Sequence, residues 1–523
     1  MIKESFSHLL DGNYSLDSLE IASIQHEVDA ETLVIDRLQL AIDELQLKLK
    51  SHESKRQDYK SLLSPLRRGV VPPEILMEIF RYAVEPYPLN WVALVCRSWR
   101  AIALTTPSLW QTVETTIPSD TPVNVKKLQT WTARSGTLPK RVKITGLDGR
   151  YQCQCHQFDE DICRLASPEL IRFLTNGPVL DEVTIQCHSH HCLDRLFGLI
   201  KSEENALSRS WDSIRHLALE IEDWEMPNSG LEWPFLNNLP SVSSLLLETP
   251  WLPTVPSENL PALPPLHCLT KLHIVGDWPN FWILRNLRNC RNLEEVVLDS
   301  TQSARPDEGF TEVLTPVLLP KLQVLRFRQM SNRGEDTRIL RRLRMPALRT
   351  LELQYQDDPD DDDEEGPDTP DESELYSDIL RMLSGADCVV DLQQLHLEYL
   401  PITSKGLLRI LAILPSLTFL ELAKVDVDRE LFEIAREVDK PLLPLLRHLK
   451  IHDNCGAFDV DDVCQYLEGR KASATEVGPD CVERLDMTFN KNWSPRGSRP
   501  DESIRAMELR GVGVLVNIGF SSD

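Results

Sequence analysis

Apolar residues recur in one short pattern through most of the chain. The pattern is apolar-x-x-apolar-x-apolar, as in Ile214-x-x-Leu217-x-Leu219, and it occurs eleven times between residues 180 and 487. Its last two apolar sites alternate, as the inward-facing side chains of a β-strand do. Each copy therefore predicts one short strand. The middle apolar residues of the copies are Val183, Leu217, Leu245, Leu272, Val296, Leu325, Leu351, Leu395, Leu420, Leu449 and Leu485.

The spacing of the copies indicates how the strands are connected. From Leu217 to Leu351 successive copies lie 24 to 29 residues apart, with helical runs such as Phe281–Cys290 and Ile339–Leu343 between them. A period of this length with this signature is typical of leucine-rich repeats, in which each unit adds one strand to a continuous parallel sheet. A doubly wound sheet also alternates strands and helices, but it would not repeat one hexad so often. We therefore predict an α/β horseshoe-shaped solenoid.

We place this leucine-rich-repeat solenoid at residues 120–523. Val142 and Ile144 resemble an early, degenerate copy, and Ser503–Phe520 resembles a terminal cap because a helical run there precedes alternating apolar residues. Stacking of neighbouring repeats, rather than any single repeat, should bury the apolar faces.

A different apolar period marks the region before the repeats. Between residues 19 and 52, apolar residues alternate at steps of three and four, with Glu31 breaking one step. This is the a/d seam of a coiled-coil helix, which we expect to follow a flexible start at residues 1–18. The helix either pairs with a second coil, including a second copy of this chain, or folds back on its own domain. The seam residues are Ile21, Ile24, Val28, Ile35, Leu38, Ile42, Leu45 and Leu49.

Residues 66–112 predict a small all-α hairpin. Pro72 and Pro73 suit a helix start, and an apolar stripe from Ile75 runs along that first helix. A second helical pattern begins at Leu89 and reaches Ile102. So short a segment does not bury enough surface to fold unaided, so either the rest of the chain or a partner must cover its apolar face.

The amino-acid sequence of this hairpin resembles the F-box motif. The resemblance rests on Pro-Pro-Glu-Ile-Leu at residues 72–76, on Val-Cys-Arg-x-Trp-Arg at 95–100 and on the trailing Leu109-Trp110, while Val71 stands where the motif more often has Leu. In that family the hairpin docks on the Skp-type adaptor of SCF ubiquitin ligases. The resemblance thus implies contacts with an adaptor, and through it with a cullin. The implied adaptor-binding residues are Pro72, Ile75, Leu76, Ile79, Phe80, Val95, Cys96 and Trp99.

The repeats are similar to those of F-box proteins with leucine-rich repeats. The similarity is clearest in the pattern Cys290-x-x-Leu293-x-x-Val296-x-Leu298. By that resemblance, the chain is a non-catalytic substrate receptor of an SCF-type cullin-RING ligase. An unknown protein substrate should bind the exposed side of the strands. The alternative is a scaffold that dimerises through its coiled coil without any ligase. The candidate substrate-binding residues are His216, Lys271, His273, Arg326, Arg328, Phe419 and Lys450.

Charge narrows the choice of partners. The formal net charge is −25, which argues against nucleic acid and against an anionic membrane surface as partners. Residues 1–10 contain no long apolar run, and no stretch approaches 18 apolar residues, so we expect no signal peptide and no membrane span. A cytoplasmic or nuclear location follows as the expectation.

An acidic run interrupts the repeats at residues 357–374. It contains twelve acidic and no basic residues, and it widens the step from Leu351 to Leu395 to 44. Such a run repels itself, so we expect a disordered insertion. It is either a solvated loop with no partner or a means of attracting a basic substrate.

Cysteine and histidine cluster in two loops that should leave the same edge of the sheet. Zinc would suit such ligands, but neither cluster contains a CxxC pair, and ligands at adjacent positions seldom complete a tetrahedron. A metal-dependent enzyme built on these loops is the weakest of three functional hypotheses, because no catalytic motif is present. We predict surface loops with no metal and no cofactor. The clustered residues are Cys153, Cys155, His156 and Cys163, then Cys187, His188, His190, His191 and Cys192.

Overall fold

The computed structural model divides the chain into two compact units, residues 1–106 and 107–523. The residues that the structure describes are 17–63, 71–84, 89–117, 124–146, 163–203, 210–223, 234–249, 263–264, 266–276, 278–300, 315–330, 336–356, 372–384, 391–425, 427–437, 442–454, 458–477, 482–489, 504–511 and 513–520.

The first unit opens with one long helix, α1 (Ser18–Leu62). Asp17 caps it through hydrogen bonds from the backbone N–H groups of Leu19 and Glu20, and the Glu20 side chain bonds back to the Asp17 N–H. No residue of α1 is buried. The helix continues to Leu62, ten residues beyond the predicted end of the coiled-coil helix at residue 52.

Three short helices follow: α2 (Pro73–Val84), α3 (Leu89–Val95) and α4 (Arg97–Thr105). The predicted hairpin therefore has its second helix divided at Cys96. This residue has an extended backbone, and its Sγ accepts a hydrogen bond from the backbone N–H of Trp99. Cys96 acts as the N-cap of α4, and this cap ends the helical pattern that starts at Leu89.

Within the described residues, the second unit is built on one sheet of fourteen parallel strands that lie in sequence order. The strands are β1 (Thr112–Thr116), β2 (Arg141–Thr145), β3 (Glu182–Ser189), β4 (His216–Asp223), β5 (Ser244–Glu248), β6 (Lys271–Val275), β7 (Glu295–Asp299), β8 (Val324–Met330), β9 (Thr350–Tyr355), β10 (Gln394–Glu398), β11 (Phe419–Ala423), β12 (His448–Asn454), β13 (Arg484–Phe489) and β14 (Leu515–Phe520).

The register of the sheet confirms the predicted repeats. All eleven middle residues of the hexads pair with one another in a single row, from Val183 opposite Leu217 to Leu449 opposite Leu485. The two inward residues of each hexad are buried, as Leu217 and Leu219 illustrate at 2% and 0% exposure. Each such leucine contributes about 1.5–3 kcal/mol by burial. The predicted fold class, an α/β solenoid after an N-terminal helix, is confirmed.

The array is longer at its start than the sequence predicted. Strand β1 precedes residue 120 and pairs with β2, the strand that contains Val142 and Ile144. Its inward residues are Val113 and Thr115. A threonine at the second inward site explains why the apolar hexad does not reveal this strand. At the other end, β14 pairs with β13, so the predicted cap supplies the last strand of the sheet.

Helices connect many of the strands and cover their inward side chains. The 3-10 turn Asp336–Arg342 and the two-residue strand Leu343–Arg344 stand where an ordinary helix was predicted at Ile339–Leu343. Among the described helices, none combines the length and apolar character needed to cross a membrane. The helices are α5 (Val125–Arg134), α6 (Pro168–Asn176), α7 (His190–Ser202), α8 (Asn280–Leu287), α9 (Glu372–Leu383), α10 (Ser404–Ala412), α11 (Arg429–Glu437), α12 (Val460–Val477) and α13 (Ile504–Gly511).

The acidic run lies mainly outside the described residues, which stop at residue 356 and resume at 372. Its last three residues form the start of α9, so the insertion ends earlier than the predicted residue 374. The strands on either side remain in register, with Leu351 opposite Leu395.

Candidate functional site

Helix α2 divides its apolar stripe between two environments. Leu76 and Phe80 are buried, with 4% and 0% of their surface exposed, and the Phe80 ring lies 4.9 Å from that of Trp99. Ile75 and Ile79 remain 52% and 44% exposed. The buried pair stabilises the packing of the unit, whereas the isoleucines form a surface.

Helix α3 adds to that surface. Val92 is buried, but Leu94 and Val95 are 69% and 60% exposed. The Arg100 Nε atom donates a hydrogen bond to the carbonyl oxygen of Ala93 at 2.9 Å, which ties the start of α4 to α3. The short helices thus hold their exposed apolar residues in a defined arrangement.

The predicted adaptor-binding residues therefore separate into two groups. Leu76 and Phe80 face the interior and Trp99 is half-buried, so these three do not form an open contact surface. Sequence periodicity also missed exposed apolar residues that lie off the predicted stripe. These residues could have been found in the sequence as large apolar side chains at positions that do not belong to the stripe. The exposed predicted residues are Pro72, Ile75, Ile79, Val95 and Cys96, and the additional ones are Tyr82, Trp91 and Leu94.

The second surface is the outward side of the sheet in the repeat unit. All seven predicted substrate-binding residues lie on strands at positions that alternate with buried ones. His216 begins β4 and is exposed, while His273 is half-buried and bonds the Asp299 carboxylate at 2.8 Å. The sheet thus presents the predicted side chains on one face, but most of them already have partners.

The cations of the central strands form a ladder with carboxylates. Lys271 Nζ lies 2.8 Å from Glu295, and Glu295 also pairs with Arg326. The Nε atom of Arg326 lies 3.1 Å from Glu352, and the Nε atom of Arg328 lies 2.7 Å from that carboxylate. The arginines therefore offer a neutralised, hydrogen-bonded surface rather than isolated positive charge.

These contacts change the ionisation of the groups. The hydrogen bond from Lys271, followed by the one from Arg326, lowers the pKa of Glu295 below its usual value. The hydrogen bond to Glu352 raises the pKa of Arg328. Both shifts favour the charged forms, so the ladder stays ionised at neutral pH.

An aromatic cluster lies on strands β10 to β12. The half-buried Phe419 ring has its centroid 4.8 Å from that of His396 and 4.9 Å from that of His448. Lys450 Nζ lies 5.5 Å from the centre of the same ring and 3.8 Å from Glu421. Glu421 also bonds His396 at 2.8 Å, which holds the pKa of Glu421 below its usual range. Phe419 is thereby fixed as a rigid, partly exposed anchor.

A third feature of this face escaped the sequence analysis. Glu248 lies at the end of β5, and partial desolvation together with repulsion from Glu220 on β4 raises its pKa. The two residues are direct neighbours in the strand register. Alignment of the hexads places the two carboxylates side by side, so their proximity could have been predicted from the sequence.

The structure separates the cysteines and histidines of the predicted loops. Cys153, Cys155 and His156 lie outside the described residues. Among the described residues, one group of three possible metal ligands occurs, formed by His190, His191 and Asp194 with ligand atoms within 4.8 Å of one another. Asp194 was not predicted, although its position four residues after His190 on a helix was visible in the sequence. The remaining clustered residues, which do not belong to that group, are Cys163, Cys187, His188 and Cys192.

Comparison with known proteins identifies one segment of the chain. Residues 69–116 match the F-box-like family, while no curated protein matches the sequence. An internalin from Listeria monocytogenes is similar in structure over 80% of this chain and 84% of its own, at 12% identity and a TM-score of 0.30. A TM-score this low does not identify a fold. The leucine-rich-repeat architecture is instead established by the order and register of the strands. The chain thus combines an F-box-like segment with repeats of the leucine-rich type.

Proposed function

We propose that this protein is the substrate-recognition subunit of an SCF-type cullin-RING ubiquitin ligase. The F-box-like segment would dock on a Skp-type adaptor, and the outward side of the sheet would bind the protein to be ubiquitinated. The observation that carries the proposal is the exposed apolar surface of α2 and α3 within the segment that matches the F-box-like family. Both modules are of kinds that generally bind rather than catalyse, so no cofactor is required.

The energetics favour coverage of this surface by another protein. Ile75, Ile79 and Val95 each leave 44–60% of their surface in water. Full burial of such a side chain is worth about 1.5–3 kcal/mol. Such residues on the two neighbouring helices α2 and α3 could supply the apolar centre of a stable interface.

The docking surface can be tested by co-purification of the full chain with a Skp-type adaptor. Ile75→Asp and Ile79→Asp should each weaken the complex at least tenfold, because each would bury an unpaired carboxylate. Leu199→Asp is a matched control, since Leu199 in α7 is also 44% exposed but belongs to the other unit. Leu76→Asp is unsuitable, because Leu76 is 4% exposed and its change would disrupt folding. Wild-type binding by both correctly folded isoleucine variants would contradict the proposal.

Substrate binding is assigned to the outward side of the sheet because it combines a rigid aromatic anchor with ordered charges. Phe419 supplies the anchor, and Glu248 supplies a carboxylate close to another negative charge. Proteins retained by the wild-type chain should be lost from Phe419→Ala or Glu248→Gln. Thr116→Ala is a control on the same sheet, far from both. If neither change alters the retained set, these strands do not form the receptor surface.

Helix α1 supports a second role, self-association. Its seam residues Leu38, Ile42 and Leu45 are 59%, 47% and 64% exposed. A coiled coil would cover them, and a scaffold without any ligase would need only this contact. Light scattering on the full chain should show dimers that Leu38→Asp dissociates and Leu40→Asp, a change off the seam at a 70% exposed residue, does not. Dimerisation without adaptor binding would favour the scaffold.

A further inference from the structure

We propose that His190, His191 and Asp194 form a zinc site at the start of α7. The proposal is independent of the ligase function. It starts from the local fold: β3 ends at Ser189, whose side chain accepts a hydrogen bond from the backbone N–H of His191 and caps α7. Residues 190 and 194 are one helical turn apart, so they share a face of the helix, and His191 adjoins them.

The three side chains are close enough to ligate one ion. Their ligand atoms all lie within 4.8 Å of one another, and the rings of His190 and His191 are 4.0 Å apart. Around a tetrahedral zinc ion with bonds of about 2.0–2.2 Å, ligand atoms are about 3.4 Å apart. Small rotations of the half-buried His191 and Asp194 side chains would close the difference. Water would occupy the fourth position.

The surroundings suit a metal more than a solvated surface. His190 is 1% exposed, and the other two side chains are half-buried. One carboxylate oxygen of Asp194, Oδ1, accepts a hydrogen bond from the backbone N–H of Phe235 at 2.7 Å. This bond orients the carboxylate and leaves its other oxygen for an ion, as hydrogen bonds to metal-bound carboxylates do.

The bound ion would have a structural consequence. Asp194 already links α7 to the turn at Leu236–Asn238 through Phe235, which precedes that turn. Neutral imidazole and carboxylate ligands suit zinc. Zinc would therefore fix the start of α7 and, through Asp194, the connection between β4 and β5.

Zinc content and affinity of the full chain test the site. The protein is stripped with a chelator, loaded with zinc chloride, dialysed and analysed by mass spectrometry of the metal. We expect about one zinc per chain. Affinity is then measured by competition with a chromophoric zinc indicator. His191→Ala and Asp194→Asn should each weaken binding at least tenfold, since each removes a ligand or its charge.

Matched controls separate this site from other imidazole and carboxylate groups of the chain. His216→Ala and Asp212→Asn change exposed residues of the same types outside the group. Both should bind zinc as the wild type does, and zinc should raise the unfolding temperature of the wild type and of both controls but not of Asp194→Asn. Three results would overturn the proposal: far less than one zinc per wild-type chain, unchanged affinity in both ligand variants, or an equal loss in the controls.

Discussion

Adjacent apolar residues on α2 have opposite roles, and sequence periodicity cannot separate them. Ile75 and Leu76 both belong to the predicted stripe, yet one is 52% and the other 4% exposed. The stripe is wide, and the packing of α3 and α4 decides which part of it is covered.

The environment of an arginine on the sheet, unlike that of the α2 residues, could be predicted from the sequence. Glu352 pairs in register with Arg326, so aligning the hexads was sufficient to predict that this cation is neutralised.

The buried half of the stripe should control folding of the first unit. Phe80→Ala removes a fully buried ring that contacts Trp99, and such changes cost about 3–5 kcal/mol. Hydrogen exchange should show loss of protection along Pro73–Val84. Ile79→Ala, on the exposed half, should leave this protection nearly unchanged. Equal loss in both variants would contradict the assignment of inner and outer residues.

The charge ladder predicts a defined pH dependence. Because ion pairing lowers the folded-state pKa of Glu295, its stabilising effect is complete above the ordinary carboxyl pKa of 4.5 and is lost as pH falls through the lowered value. Glu295→Gln should therefore reduce stability at pH 7 by about 1 kcal/mol or less and leave it nearly unchanged in stronger acid. Thermal unfolding across this pH range measures the difference. Glu483→Gln, at a more exposed ion pair, should have a smaller effect; an equal effect at all pH values would contradict the role of the ladder.

At the scale of elements, the apolar hexad predicts strands well and helix ends poorly. It locates strands with an apolar residue at both inward sites, but it misses β1, where Thr115 occupies one site. The division between α3 and α4 was also missed, because cysteine is an unusual N-cap and the apolar period continues through it. Local hydrogen bonding, rather than burial, sets that boundary.

The cap at Cys96 should be replaceable by a better acceptor. Cys96→Ser keeps a side-chain acceptor for the Trp99 N–H and should leave α4 equally or more stable. Cys96→Val has similar size but no acceptor, and it should cost about 1 kcal/mol. Hydrogen exchange of the first turn of α4 distinguishes the two variants. Equal protection in both would mean that the sulfur does not cap the helix.

At the scale of the whole molecule, the repeat unit depends on every strand being covered by the next one. Strand β14 covers β13 at the end of the sheet. If β14 detached, the backbone groups of β13 would be exposed and could pair with another chain. Sequence predicted the order of the strands because the same hexad recurs. Aligned hexads also bring together outward charges that face each other in register, such as Arg326 and Glu352, but not diagonal pairs such as Arg326 and Glu295.

Detachment of the last strand can be provoked by one substitution. Val516→Asp would force a charge into the core, because Val516 is 5% exposed. The variant should unfold at a lower temperature and form larger oligomers, which size-exclusion chromatography with light scattering would detect. Leu515→Asp changes the neighbouring residue, which is 53% exposed. This variant should have the same oligomeric state as the wild type. Identical behaviour of the two variants would contradict this role of β14.

The straight row of paired hexads has a consequence for how such a protein can diversify. Connections of very different length, including the one of 44 positions from Leu351 to Leu395, join strands that still meet residue for residue. A connection can therefore lengthen or shorten without displacing the rungs on either side. Single outward side chains can likewise be exchanged one rung at a time. The residues that would bind a target can therefore change without altering the residues that hold the sheet together. A new target could be recognised after a few independent substitutions.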